Sequence, residues 1–353
     1  MKDLDFKDIL DMAQSEIKYT NILILGKTGV GKSTLLNAVF GEDLAETGSG
    51  KPCTENIKEY TKEGFPIRLI DTRGLELENF EVILKDLHEE IDKRKMTPDP
   101  STYIHIAWYC INYGSKRIED GELNIINELS KKVPVIVVLT QTIEADQKFY
   151  NDVESLCFGC ADVLKVLALP YETPIGIIPE FGLKELVSKT TEKIPEAHKQ
   201  AFVAAQVVDL DLKVKMAELR VKIAAAAAIA AGATPIPFSD AAILAPIQVT
   251  MLATISMAMG LDVTRAFLTT LITSAAGVVS AGYAGRAIVA GLFKLLPGAG
   301  SLAGGLISGA TAGALTTTMG YAYIHALKYM IENHMDMSPK NISTTFIDTL
   351  KRK

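Results

Sequence analysis

The apolar and polar positions of the chain fall into two unlike patterns. Asn21–Leu25 is a short apolar, β-branched run of the kind that makes a buried strand, and Ser33–Phe40 has the Leu/Ala spacing of a helix. Phe65–Asp71 reads as a strand, and a further alternating strand follows Thr54. Glu78–Arg94 carries Val82, Ile83 and Leu87 on one helical side, until TPDPS ends it. Tyr103–Ile111 is a buried strand in which His105 and Trp108 read as core and edge residues. Ile118–Lys132 is an amphipathic helix, Val133–Thr140 a fifth strand and Val163–Leu169 a sixth. From Phe181 to Arg220 the pattern gives a closing helix, a break at Pro195 and then a long charged helix. Strands alternating with helices predict an α/β domain.

The second pattern begins near Ile223. Between residues 223 and 324 the only charged side chains are Asp240, Asp262, Arg265, Arg286 and Lys294. IAAAAAIAAGATPIPFSD predicts a helix ended by Gly232, Pro235 and Pro237, with Ser239 or Asp240 capping the next. Uncharged runs follow at 241–261, 266–285 and 295–324, the last with a turn at Pro297-Gly298. As a helix, the first run spans about 31 Å, enough to cross a bilayer. Alanine, glycine, serine and threonine dominate these runs, however, and they favour insertion less than leucine or isoleucine. Ser301, Gly305, Gly309 and Gly313 fall four apart, a stripe of small residues that lets a neighbouring helix approach closely in lipid or in water. Membrane-attached hairpins and an Ala/Gly-rich bundle both remain open.

At 353 residues the chain has room for two domains. The expected segments are an N-terminal amphipathic helix over 1–19, an α/β domain over 20–192, a connecting helix over 193–222, a hydrophobic helical domain over 223–335 and a tail over 336–353. The polar, acidic start predicts no signal segment and a cytoplasmic protein. A net charge of -6 argues against nucleic acid as a partner. Cys53, Cys110, Cys157 and Cys160 are too scattered for a disulfide framework, and Cys157-x-x-Cys160 lacks the second pair that a structural zinc needs.

The chemistry lies between the first strand and the first helix. Gly26-Lys27-Thr28-Gly29-Val30-Gly31-Lys32-Ser33 is a complete G-x-x-x-x-G-K-S, running into Thr34. Glycines let the backbone curl around a phosphate chain with its N–H groups inward, and the helix N-terminus adds positive potential. In this pattern Lys32 reaches the β/γ-phosphates and Ser33 offers a hydroxyl to Mg²⁺. Asp71, at the end of a strand, opens Asp71-Thr72-Arg73-Gly74. Its carboxylate suits the Mg²⁺ shell, and the Gly74 N–H suits a γ-phosphate. Thr54 is the candidate for a second hydroxyl on Mg²⁺, with Thr47 or Ser49 as alternatives. Lys32, Thr54 and Gly74 are the candidate catalytic groups.

GKTGVGKSTLLNAVFG, Thr54 and DTRG together resemble the translation-factor-related GTPases, in particular the Era/TrmE-like, septin, chloroplast-import and immunity-related branches. The resemblance covers roughly residues 20–190. It implies a P-loop GTPase fold with a mostly parallel six-stranded sheet and helices on both faces, GTP/GDP and Mg²⁺ as ligands, and self-association across the nucleotide face. Leu75 stands where many small G proteins place the glutamine that orients the attacking water. Gly29 stands where potassium-activated members carry asparagine. The base-reading element, Asn/Thr-Lys-x-Asp in such proteins, is here Thr140-Gln141-Thr142-Ile143. Gln141 can lay its methylenes on a purine and Thr140 can bond back to the phosphate loop, but Ile143 accepts nothing. Base selection should therefore be relaxed unless Glu144 or Asp146 substitutes. Leu-Pro follows the sixth strand, where a Ser-Ala backbone clamp is usual.

The C-terminal part resembles an Ala/Gly-rich helical domain of unknown function that follows a GTPase domain in a group of bacterial proteins. Two functions fit: a membrane-associated switch GTPase whose nucleotide state acts on the helical domain, or a soluble regulatory GTPase whose helical domain docks a partner. For slow turnover to be accelerated, either Arg73 or Arg117 of a second copy or an external activator must supply the missing group.

Overall fold

The computed structural model describes residues 11, 13, 17–41, 51–52, 57–62, 64–72, 80–143, 147–232, 240–276 and 309–352. Two compact units divide the chain, one over Ile17–Asp209 and the other over Leu210–Lys353 together with Met1–Glu16. Most of the expected 1–19 helix lies outside the described residues.

The first unit is built on one sheet. Its strands are β1 (Thr20–Leu25), β2 (Lys51–Pro52), β3 (Ile57–Thr61), β4 (Ile67–Thr72), β5 (Ile106–Asn112), β6 (Val135–Thr140) and β7 (Asp162–Lys165), in the order β2-β3-β4-β1-β5-β6-β7. From β4 through β7 all pairings are parallel, whereas β3 runs antiparallel to β4. This is the expected six-stranded, mostly parallel sheet, with the two-residue β2 added at its edge. β1 and β6 are buried along their whole length, so they read as unbroken apolar runs rather than alternating ones. Its helices are α1 (Lys32–Phe40), α2 (Phe80–Lys95), α3 (Asp120–Ser130), α4 (Lys148–Leu156), α5 (Leu183–Lys193) and α6 (Glu196–Ala205).

Three expectations change in this unit. The sixth strand stops at Lys165 instead of Leu169: Val166 still donates its N–H to Leu139 O of β6, but Leu167 pairs antiparallel with Phe181 instead. The chain leaves the sheet there as a separate ribbon of β8 (Tyr171–Thr173) and β9 (Gly176–Ile178). Trp108 is no edge residue: it is fully buried, stacked 6.1 Å from Phe40, and its Nε1 donates to Thr190 Oγ1 at 3.0 Å. The long charged helix expected after Pro195 is two helices. α6 ends at Ala205, and Gln206 then folds its side chain onto Asp209, accepting from its N–H at 2.7 Å and donating to its carbonyl at 2.8 Å.

The second unit is all-helical among the described residues: α7 (Leu210–Gly232), α8 (Asp240–Ala258), α9 (Arg265–Ala276), α10 (Gly309–Glu332) and α11 (Pro339–Lys351). Small residues set its packing. A Cβ on Gly320 would sit 2.6 Å from Val221 and one on Gly313 2.5 Å from Ile229, so α10 lies against α7 at a distance that larger residues forbid. Two buried polar pairs fix α8 against α10, Gln248 Nε2 donating to Thr316 Oγ1 at 3.2 Å and the Ser256 and Tyr323 hydroxyls 2.7 Å apart. The expected tail over 336–353 is mostly α11, which buries Ile342, Phe346 and Leu350, with Phe346 edge-on to Tyr323. Ser301, Gly305 and the Pro297-Gly298 turn lie outside the described residues. Among the described residues, no helix is long and apolar enough to cross a membrane.

A buried histidine pair in the first unit gives that unit a pH dependence. His105 and His198 stack with ring centroids 3.8 Å apart, and His105 Nδ1 accepts the Asn21 N–H at 2.9 Å. Burial first, and the neighbouring His198 second, push the His105 pKa down to about 4. The unfolded chain takes up this proton near pH 6.5 and the folded chain does not. The contribution is therefore complete above pH 6.5 and is lost as pH falls toward 4, by at most about 3 kcal/mol. His105→Asn keeps an acceptor for Asn21 and removes the titration. Urea midpoints measured from pH 7 to pH 4 should fall less steeply in this variant than in the wild type, and parallel curves would refute the assignment.

Candidate functional site

Parallel strands place their carboxyl ends along one edge of a sheet, and it is there that α/β folds bind ligands. Here β1 ends at Leu25, β4 at Thr72, β5 at Asn112 and β6 at Thr140. The loop Gly26–Gly31 leaves β1 at this edge and leads straight into α1.

The loop can exist only with glycine at its first position. Gly26 has φ +136°, and a Cβ there would lie 2.3 Å from the Cys110 carbonyl oxygen of β5. Gly31, in the left-handed region, begins α1 with no side chain capping the first turn, so the first N–H groups of the helix remain available to an anion. Lys32 Nζ donates to Gly26 O at 2.7 Å and to Lys27 O at 3.0 Å, which holds the ammonium over the loop. Ser33 and Thr34 are exposed beside it, whereas Val30 is buried.

Asp71 joins this group through register. Its position in β4 pairs with Ile24 of β1, which places it beside the strand that feeds the loop. The Cys110 thiol, pushed up to about 12 by complete burial, is lowered by Lys32 and raised by Asp71, so both charges lie within electrostatic reach of one atom. A hydroxyl at a helix start and a carboxylate at the neighbouring strand end are hard oxygen ligands suited to Mg²⁺. The residues present thus fit a phosphate chain with a divalent cation. Thr54, Gly74, Thr47, Ser49, Arg73 and Leu75 lie outside the described residues.

At the end of β6, Thr140 is buried and its Oγ1 reaches two carbonyls, Val30 O of the loop at 2.5 Å and Ile111 O of β5 at 3.1 Å. Gln141 takes φ +53°, and its side chain lies on the loop: Nε2 meets Gly29 O at 3.4 Å, while Oε1 accepts from Asn112 Nδ2 at 3.1 Å. Thr142 turns inward and bonds to Leu139 O, leaving Ile143 40% exposed where the resemblance implies a carboxylate. Glu144 and Asp146 lie outside the described residues.

Three contributors were not singled out from sequence. Asn112 orients Gln141. Glu119 and Glu122 hold Lys27 Nζ at 2.7 and 3.3 Å, so this lysine braces the loop against α3 with its side chain. The same two glutamates form the capping box of α3. A glutamate at the N-cap departs from the usual Ser/Thr signature of such a box, and no sequence signal joins either glutamate to Lys27. Arg117 lies 3.5 Å from Glu119 with most of its side chain exposed. Cys157 and Cys160 carry free thiols, both raised by burial, and among the described residues no cluster of three metal-ligating side chains occurs.

The sequence matches known GTPases over the strands and the loop of this site. Residues 21–141 match the family model described as 50S ribosome-binding GTPase. GTPase Era of Clostridioides difficile is 30% identical over 135 residues, 36% of this chain and 41% of that protein. Translocase of chloroplast 108 of Physcomitrium patens is 48% identical over 56 residues, 15% of this chain and 6% of that protein. Among solved structures, the G domain of the T. maritima FeoB iron transporter covers 50% of this chain and 98% of its own, at 22% identity and a TM-score of 0.33. The chain thus spans less than half the length of these two curated relatives. Residues 21–141 lie within the first unit, which has the P-loop GTPase fold.

Proposed function

We propose that the protein is a GTP-binding switch that hydrolyses GTP slowly and passes its nucleotide state to the helical unit, which attaches to a membrane surface. The reading is carried by the loop Gly26–Gly31, with Lys32 held over it and an uncapped helix start behind it. The backbone N–H groups of the loop and of the first turn of α1 bind the phosphates, and Lys32 exchanges its two carbonyl partners for β- and γ-phosphate oxygens. Ser33, Asp71 and Thr54 would hold Mg²⁺, which would supply positive charge against the phosphates. Gly74 donates its N–H to the γ-phosphate. Gln141 supports one face of the base, pinned between Asn112 and Gly29.

Turnover is slow because Leu75 follows Gly74, where the resembled GTPases place the water-orienting glutamine, and leucine can neither orient nor deprotonate water. Positioning and charge then supply the catalysis, and basal rates fall below about one per minute. A second copy meeting the nucleotide face supplies the missing group, from Arg73 or Arg117. For the helical unit, surface attachment is supported by α7. Leu219, Ile223, Ala226, Ala227 and Ala230 share one exposed stripe, with Lys215 and Lys222 beside it to carry charge at a headgroup layer.

Three outcomes test these assignments. Lys32→Ala should abolish binding of fluorescent GTP while the circular dichroism spectrum stays unchanged; wild-type affinity in that variant would overturn the site. The base should be selected only modestly, GTP over ATP, because Ile143 lacks the charged hydrogen bonds that contribute about 1.5 to 3 kcal/mol. Ile143→Asp should therefore raise the GTP preference by tenfold or more (roughly the effect of 1.4 kcal/mol per decade), and an already steep wild-type preference would show that another group reads the base. The full chain should float with liposomes to different extents in its GTP-analogue and GDP states, and identical flotation would remove the coupling.

A further inference from the structure

The ribbon that leaves the sheet after β7 is the most exposed apolar element of the first unit. Ile175 at its tip is 98% exposed, Ile177 67%, and Leu169 and Tyr171 about half. Its pairing register is Tyr171 with Ile178, Glu172 with Ile177 and Thr173 with Gly176. The last pair closes a two-residue turn, so its partners face one another with their N–H and C=O groups. Antiparallel alternation then points the backbone groups of Ile177 away from β8, toward the outer edge of β9. Among the described residues β8 and β9 pair with no further strand. A two-stranded ribbon is marginal in water, and an open edge is a template for another strand.

We infer that β9 is a self-pairing edge, through which two copies of this chain join their ribbons into a four-stranded sheet, β8-β9-β9-β8. The charge pattern selects this partner. Antiparallel pairing of β9 with itself about Ile177 sets Ile177 opposite Ile177 and Gly176 opposite Ile178, so no charge meets another. The same operation on β8 sets Glu172 against Glu172 and is opposed by like charge. About a two-fold axis, the two Ile177 residues exchange both N–H···O bonds, and their side chains meet on the face where Glu172 forms the polar rim. Gly176 leaves room beside Ile178 of the other copy. The contact is small, so it forms with rising concentration rather than permanently. Because β7 is parallel to β1, the ribbon stands on the same edge of the sheet as the phosphate loop. The inference thus deepens the proposed self-association and gives it a surface, while depending on no nucleotide chemistry.

Sedimentation of the full chain over a hundredfold concentration range, with fluorescent GTP binding measured on the same samples, tests it. Wild type should dimerise. Ile177→Pro removes only an outward N–H, which edge strands tolerate, and should weaken dimerisation at least tenfold with nucleotide affinity unchanged. Lys32→Ala should do the reverse, which separates failure of the ribbon from failure of the nucleotide site. Facing residues of such a pair lie about 5.5 Å apart, within disulfide reach. Mild oxidation should therefore convert Ile177→Cys to a covalent dimer at least tenfold faster than Glu172→Cys, a readout that stands even if the proline variant misfolds. A wild type monomeric throughout, equal dimerisation by Ile177→Pro, or equal cross-linking of the two cysteine variants would each overturn the inference.

Discussion

The Thr140 hydroxyl holds the phosphate loop to the sheet. One buried oxygen reaches the Val30 carbonyl of the loop and the Ile111 carbonyl of β5, so loop, β5 and β6 share a single hydrogen-bonded point. On the other side of the loop, the absence of a Cβ at Gly26 lets the backbone lie against the Cys110 carbonyl. A loop pinned in this way presents its N–H groups without first having to order them. The same economy applies to Lys32, already held by two loop carbonyls at the mouth of the site.

The charges around the loop are arranged to serve different tasks. Lys27 is taken up by Glu119 and Glu122, of which Glu122 is almost completely buried, so its role is to brace the loop. Among the described residues, Lys32 Nζ is bonded to two neutral carbonyls, which an anion can displace. Gln141 stands where the resemblance implies a lysine. Its amide is oriented by Asn112 and reaches Gly29, and two residues further on Ile143 is left 40% exposed.

The two units solve packing differently. The sheet of the first unit excludes water with large apolar residues, and the buried Trp108 Nε1 finds its partner, Thr190, on a covering helix. The second unit uses small residues to bring α7 and α10 close, and threads hydroxyl and amide pairs through the interior to fix the register of α8. Glycines in a helix lower its intrinsic stability, and here close backbone approach offsets that cost.

The sequence by itself determined the strand-loop-helix carrying the G-x-x-x-x-G-K-S motif, the order of strands and helices up to β6 apart from the two-residue β2, and the placing of Lys32, Ser33 and Asp71 at the carboxyl end of the sheet. These are properties of short, contiguous patterns whose residue types are forced by backbone geometry or by burial on both faces. It also marked Thr140 as a residue that bonds back to the loop. Tertiary structure decided the rest. The ends of β7 depended on Leu167 finding Phe181, the burial of Trp108 on Phe40 and Thr190, and the split of the expected connecting helix on the bonds between Gln206 and Asp209. Asn112 joined the site through a contact 29 residues away in sequence, and Glu119 and Glu122 through a lysine in the loop. Hydrogen bonds and ion pairs between distant segments leave no periodic trace along a chain, because either partner would look like an ordinary polar residue until the sheet brings the two together.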